Sequence, residues 1–133
     1  MPEGARTATR AGTHLAMREP AFLLGQQSNR RAVRDAIAEL CVEKAWHLAA
    51  LHVRTTHVHL IVDPGGATPE RVLQSCKAYA TRALKEAAAG FPREIFWTRS
   101  GDIRRLAERA AQERAIQYVL DGQGKPMEIH CAP

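Results

Sequence analysis

Residues 51–63 read LHVRTTHVHLIVD. From His57 onward the residues alternate. Val58, Leu60 and Val62 share one face, and His57, His59, Ile61 and Asp63 share the other. Side chains of an extended chain point to opposite faces in turn, so this period of two predicts a strand over 57–63. WHLAALHV (46–53) has the same strand character, and only Arg54-Thr55-Thr56 separates the two runs. So short a connection predicts an antiparallel hairpin. The Val58/Leu60/Val62 face is apolar and suits packing on helices. The opposite face carries two imidazoles about 7 Å apart along the backbone. They read either as half-buried histidines satisfied by backbone and water, or as a pair whose nitrogens converge on one metal ion.

On either side of the hairpin the pattern becomes helical. SNRRAVRDAIAELCVEKA (28–45) has an apolar stripe of Val33, Ile37, Leu40 and Cys41, with Ser28 or Asn29 as cap. PGGATPE is turn chemistry; Thr68 can cap a helix with Pro69 at its first position. The helix 69–89 carries Val72, Leu73, Cys76, Tyr79, Ala80, Ala83, Leu84 and Ala87 on one stripe. THLAM (13–17) and EIFWT (94–98) read as short strands, and RSGD as a turn. A last helix is expected from about Arg104 to Asp121, stopped by Gly122 with Gly124 and Pro126 beyond. The order is strand, helix, strand, strand, helix, strand, helix. It predicts an α+β (α/β) chain with a ferredoxin-like antiparallel sheet and an added C-terminal helix. Such a fold by itself specifies no function.

The 133 residues suit one domain over 1–133, long enough to bury a core. Hydrophobic residues make up 45% and charged ones 25%, ordinary for a globular protein, and no apolar run approaches membrane-spanning length. MPEGARTATRAG lacks the apolar core of a secretory signal and reads as a loose N-terminus. The net charge of +5 attracts polyanions, nucleic acid most often, though it also serves solubility alone. Cys41, Cys76 and Cys131 form no CxxC, which argues against a zinc-thiolate site or disulfide framework and fits a reducing cytoplasm.

Several chemistries use paired histidines. Histidine-triad nucleotide hydrolases need HxHxH, and the third position here is Ile61. Two-histidine phosphoesterases need two separate HxT or HxS tetrapeptides, and zincins need HExxH on a helix; neither is present. A His-hydrophobe-His strand with a downstream helical tyrosine remains. The chain has two tyrosines. Tyr79 lies on an apolar stripe and reads as core. In the last helix Ala111, Arg114, Ala115, Tyr118 and Gly122 cluster on one side, while Ile116, Val119 and Leu120 can anchor the other.

In HVRTTHVHLIV, TPERVLQSCKAYATRAL, FWTRSGDIRRL and AIQYVLDGQGKPM, taken in that order, the chain resembles the single-tyrosine HUH transposases of bacterial insertion sequences. It most resembles their REP-associated tyrosine transposase relatives. The resemblance runs from about Arg34 to Met127; residues 1–27 match poorly. It implies a nuclease that cuts and rejoins single-stranded or hairpin DNA through a 5′-phosphotyrosine. His57 and His59 match the histidines that hold a divalent metal, Tyr118 the nucleophile, and Gln123 the polar third ligand. Two imidazoles and an amide oxygen suit Mg²⁺ or Mn²⁺. Relatives act as monomers or homodimers. The resemblance also favours Lys77 as a DNA contact, and Arg54, Arg82, Arg99, Arg104 and Arg105 are further candidates to meet phosphates. Trp97 reads as a stacking platform or as buried strand end.

Two features depart from the pattern. Relatives place the ligand amide four residues after the tyrosine; here Gly122 stands there and Gln123 is fifth. Five residues rotate about 140° on a helix, so Gln123 reaches Tyr118's face only if the helix ends at Gly122; Asp121 is the alternative ligand. Arg99-Ser100-Gly101 also lacks a histidine found in that turn of close relatives. A hairpin-binding protein without chemistry, and a metal hydrolase without a tyrosine role, are the competing expectations.

Overall fold

The computed structural model describes residues 12–18, 22–89, 97 and 102–132. Strand β1 (Gly12–Arg18) is followed by a 3-10 turn (Phe22–Gly25), helix α1 (Gln27–Lys44), and strands β2 (His47–Val53) and β3 (His57–Asp63). Helix α2 (Pro69–Ala87), strand β4 (Asp102–Leu106), helix α3 (Arg109–Asp121) and strand β5 (Glu128–Cys131) complete the order. The five strands form one sheet, β4-β1-β3-β2-β5, antiparallel at every pairing. The first four strands take the ferredoxin-like order, and β5 extends the sheet beyond β2.

One face of the sheet is the main core. Leu15, Met17, Leu51, Val53, Val58, Leu60 and Val62 are fully buried there. Val33, Ile37, Leu40 and Cys41 of α1 and Val72, Leu73, Cys76, Ala80 and Leu84 of α2 cover them. The expected hairpin and both expected stripes are present, except that Ala87 at the end of the second stripe is exposed. A register shift between Leu48 and Ala50 explains the spacing of apolar residues in β2. This bulge lets Leu48 and Leu51, three apart, both face α1 and α2, while Ala49 and Ala50 face the other side. On that second face Ala49, Ala50, Ile61 and Leu106 pack against Val119 of α3, with Ile116 and Leu120 beside it.

Neither Ser28 nor Asn29 caps α1, which starts at Gln27 with Gln26 at its cap position; two larger expectations also need correction. Arg104, Arg105 and Leu106 lie in β4, not in the last helix, which starts at Arg109. The run DIRRLAERAAQ has no Gly, Pro or capping Ser, Thr, Asp or Asn at the junction, so nothing local separates strand from helix. Pairing along the β1 edge decides it, with Gly12 opposite Leu106 and His14 opposite Arg104. The second correction is β5, which pairs with Ala50–Val53 of β2. EIHC carries almost no strand pattern. It is held by Glu128, whose carboxylate meets Arg30 Nε at 2.7 Å and Gln27 Nε2 at 3.1 Å on α1. Burial alone raises the Glu128 pKa; the hydrogen bonds from Arg30 and Gln27 outweigh it and bring the carboxyl below its ordinary range. The expected strand 94–98 lies outside the described residues except for Trp97. That residue packs partly buried against the main core and donates from Nε1 to Thr81 Oγ1 at 3.0 Å.

Candidate active site

The alternation of β3 turns His57 and His59 toward the face that α3 crosses. Both are half-buried, and their rings stack at 5.9 Å between centroids with 26° between planes. Tyr118 reaches them from α3. Its ring stands edge-on to His59, at 6.2 Å and 87°, and it is 48% exposed. Val119 beside it is fully buried and anchors the helix, so Tyr118 is left at the edge of the contact, facing solvent.

A third histidine, which the sequence reading passed over, joins this group. His14 sits on β1, where Ala16 is the direct neighbour of His59. That small neighbour leaves room for the His14 ring to lean across. His14 Nε2 lies 3.1 Å from His59 Nδ1, and its ring is 6.4 Å from Tyr118. The alternation in THLAM was the available signal: Leu15 and Met17 face the core, so His14 must face away. His57 is held from the hairpin turn, with Thr56 Oγ1 at 2.8 Å from His57 Nδ1.

His14, His59 and Tyr118 wall a cavity of about 740 Å³. Ala16, Leu106, Ala111 and Ala115 give it small or apolar lining, and Arg104 and Arg114 bring positive charge. Arg104 was among the candidates to meet phosphates; Arg114 was noted on the Tyr118 side of the helix but not as a cation for DNA. The remaining basic candidates lie elsewhere. Arg105, next along β4, alternates to the opposite face from Arg104 and is exposed. Arg54 donates from Nη1 to the Lys125 carbonyl at 3.0 Å and so ties down the segment after α3. Lys77 and Arg82 line a separate hollow of about 400 Å³ on α2, on the far side of the sheet. Burial lowers the Lys77 pKa. Arg99 lies outside the described residues.

The C-terminal end of α3 is fixed with care. His52, fully buried on β2, donates from Nδ1 to the Val119 carbonyl at 2.7 Å and accepts at Nε2 from the Met127 N–H at 2.9 Å. These two bonds fix a neutral tautomer. Burial, partly offset by the Val119 bond, lowers the His52 pKa from 6.5. Below 6.5 the unfolded chain therefore binds a proton that the folded chain resists, so stability falls as pH drops. The urea midpoint should be lower at about pH 5.5 than at about pH 7.5, and the gap should narrow in His52→Leu.

The helix stops at Asp121, with Gly122 as its cap, and Gln123 turns back to donate from Nε2 to the Val119 carbonyl at 3.0 Å. Asp121 accepts from Gln117. Gly122 has a structural cause: a Cβ there would lie 2.9 Å from Tyr118 Cδ1 and 3.0 Å from Tyr118 Cα. The ring could swing away, but the backbone atom cannot. Gly122→Ala should therefore displace the Tyr118 side chain and slow any reaction at its hydroxyl by roughly 10²-fold, leaving binding near its original strength. Single-turnover cleavage against gel-shift affinity checks this. Among the described residues no group of three or more His, Cys, Asp or Glu side chains converges to hold a metal.

Tyr79, the other tyrosine, has a different environment. It packs partly buried against the main core, donates to Glu43 Oε1 at 2.9 Å and lies under the Arg82 guanidinium at 4.4 Å. The bond to the Glu43 carboxylate raises its pKa, the wrong direction for a nucleophile.

The model of the IS200-like transposases matches residues 17–120, a span that contains the histidine pair and Tyr118. The chain belongs to the IS200-like transposase family. No curated protein matches it. Among solved structures, this IS200-like chain is similar to a REP-associated tyrosine transposase bound to a REP hairpin, at 19% identity and a TM-score of 0.62. The match covers 92% of this chain and 72% of that one. It is also similar to a candidate transposase from Deinococcus radiodurans R1, at 18% identity and a TM-score of 0.54, covering 93% and 98% of the two chains. At these identities the likeness is one of fold, and it agrees with the α+β sheet described above. No helix among the described residues is long and apolar enough to cross a membrane.

Proposed function

We propose that this IS200-like transposase is a metal-dependent enzyme that cleaves and rejoins hairpin-bearing single-stranded DNA through Tyr118. The observation that carries the reading is the edge-on approach of the exposed Tyr118 ring to His59, whose ring stacks on His57. The Tyr118 oxygen forms the new bond to phosphorus as the bond to the 3′-oxygen breaks. The phenolic proton is lost and the 3′-oxygen gains one. The 5′-phosphate stays on the protein, and the linkage keeps the energy needed to rejoin the strand.

His57 and His59 would hold Mg²⁺ or Mn²⁺, with Gln123 as the third ligand. The donor set fits: each imidazole has its Nδ1 engaged by a neighbour, and Gln123 donates through Nε2, so its oxygen diverges from the Val119 carbonyl. Such a cation supplies neutralisation of charge developing on the phosphate oxygens. Arg104 and Arg114 meet the flanking phosphates, while Lys77 and Arg82 serve DNA on the far side of the sheet. The hairpin-bound relative supports the choice of substrate. Arg104→Ala and Arg114→Ala should each weaken hairpin binding and flatten its log-log salt dependence by about 0.7. Binding titrations across a range of salt concentrations check this.

A hairpin-binding protein without chemistry is the second reading. The inward bond of Gln123 favours it, because an amide held at the helix end supplies a poorer ligand than one on the face of Tyr118. One experiment separates the two. Labelled hairpin oligonucleotides from the flanks of the gene are incubated with protein and Mn²⁺ and run on a denaturing gel. Cleavage predicts a shifted band that survives denaturant. Tight native binding with neither such a band nor cut DNA leaves the second reading.

A further inference from the structure

We infer that His14 and Thr56 are positioning residues that set the tautomers of His59 and His57, so that each of the pair turns Nε2 toward the cation. The inference rests on the metal reading above and goes beyond it by assigning two residues outside the ligand set. A neutral imidazole has one N–H and one lone pair. A nitrogen that binds metal uses the lone pair, so the other nitrogen must carry hydrogen and needs an acceptor. For His57 the acceptor at Nδ1 is Thr56 Oγ1, at 2.8 Å. For His59 it is His14 Nε2, at 3.1 Å, with His14 keeping its own proton on Nδ1.

The two partners come from different elements, the hairpin turn and β1, yet impose the same tautomer. The fold makes room for the second. Ala16 stands directly opposite His59, and the His14 ring reaches past it to lie 5.3 Å from the His59 ring at 52°. His14 spends its Nε2 on His59 Nδ1. It acts through His59. Thr56 likewise acts only through His57.

The test begins without metal. In ¹⁵N-histidine-labelled apo protein at about pH 8, above the ordinary histidine range, long-range ¹H–¹⁵N spectra should show Nδ1 protonated in both His57 and His59. Thr56→Val should change the tautomer of His57 alone, and His14→Phe that of His59 alone. Thr56→Ser, which keeps the acceptor, should restore the parent pattern. Mn²⁺ binding followed by electron paramagnetic resonance should weaken roughly tenfold or more in Thr56→Val and His14→Phe, and stay within about twofold in Thr56→Ser. The apo spectra report folding at the same time, so a misfolded variant is recognised, and the parent tautomers decide the matter without it. Nε2-protonated rings in the parent overturn the inference. So does parent-like Mn²⁺ affinity in both variants. If the parent itself fails to bind Mn²⁺, or His57→Ala binds it equally well, the metal reading falls and the inference with it.

Discussion

Tyr118→Phe is expected to lower covalent adduct formation with hairpin DNA by at least about 10³-fold. The change removes one oxygen and keeps the ring, so the contacts with His59 and His14 and the shape of the cavity persist. Hairpin affinity should therefore stay within about twofold, and the loss should appear in the chemical step rather than in binding. Tyr79→Phe provides the contrast. It removes the bond to Glu43 on the far side of the sheet and should leave cleavage at the parent rate. Quantifying denaturant-resistant product alongside native gel shifts for both variants checks the pair. A metal hydrolase with no tyrosine role would keep its activity in Tyr118→Phe.

The second large effect concerns His52. His52→Ala should destabilise the protein by about 3–4 kcal/mol, a buried ring and its cavity together with a lost hydrogen-bond acceptor. For a domain of this size that corresponds to a fall in Tm of roughly 10–15 °C. His52 hydrogen-bonds β2 both to the last turn of α3 and to the backbone entering β5. Without it the Met127 N–H is left without that acceptor, and the helix end that carries Tyr118 loosens. Cleavage should fall at temperatures where the fold remains intact, in contrast to Tyr118→Phe, which should leave Tm nearly unchanged. Calorimetric or spectroscopic melting against single-turnover cleavage separates the two variants.

The hairpin and the two main helices were legible because their signals are local. Val58, Leu60 and Val62 alternate without a break, and Thr68-Pro69 marks a helix start that Thr68 Oγ1 indeed caps. What the sequence concealed depends on partners distant in the chain. Leu106 becomes strand because Gly12 pairs with it, and Glu128 joins the sheet because Arg30 waits on α1. The same holds at the candidate site. His57, His59 and Tyr118 stand in motifs and were found; the structure brings them together. His14 has no motif, and its meaning comes only from the register that sets Ala16 beside His59. Charge was the weakest guide. Arg104, Arg105, Lys77 and Arg82 look alike in sequence, yet the sheet puts only Arg104 at the cavity.

The most direct test of Tyr118 as nucleophile is the mass of the peptide that carries DNA. Protein incubated with hairpin oligonucleotide and Mn²⁺ is denatured, treated with nuclease and digested with trypsin. Cleavage after Arg114 places Tyr118 in a peptide that starts at Ala115, well separated from the peptide of Tyr79. A nucleotide mass is expected on the Ala115 peptide, with fragment ions that locate it on Tyr118. A nucleotide on the Tyr79 peptide, or cut DNA with no peptide modified, would contradict it.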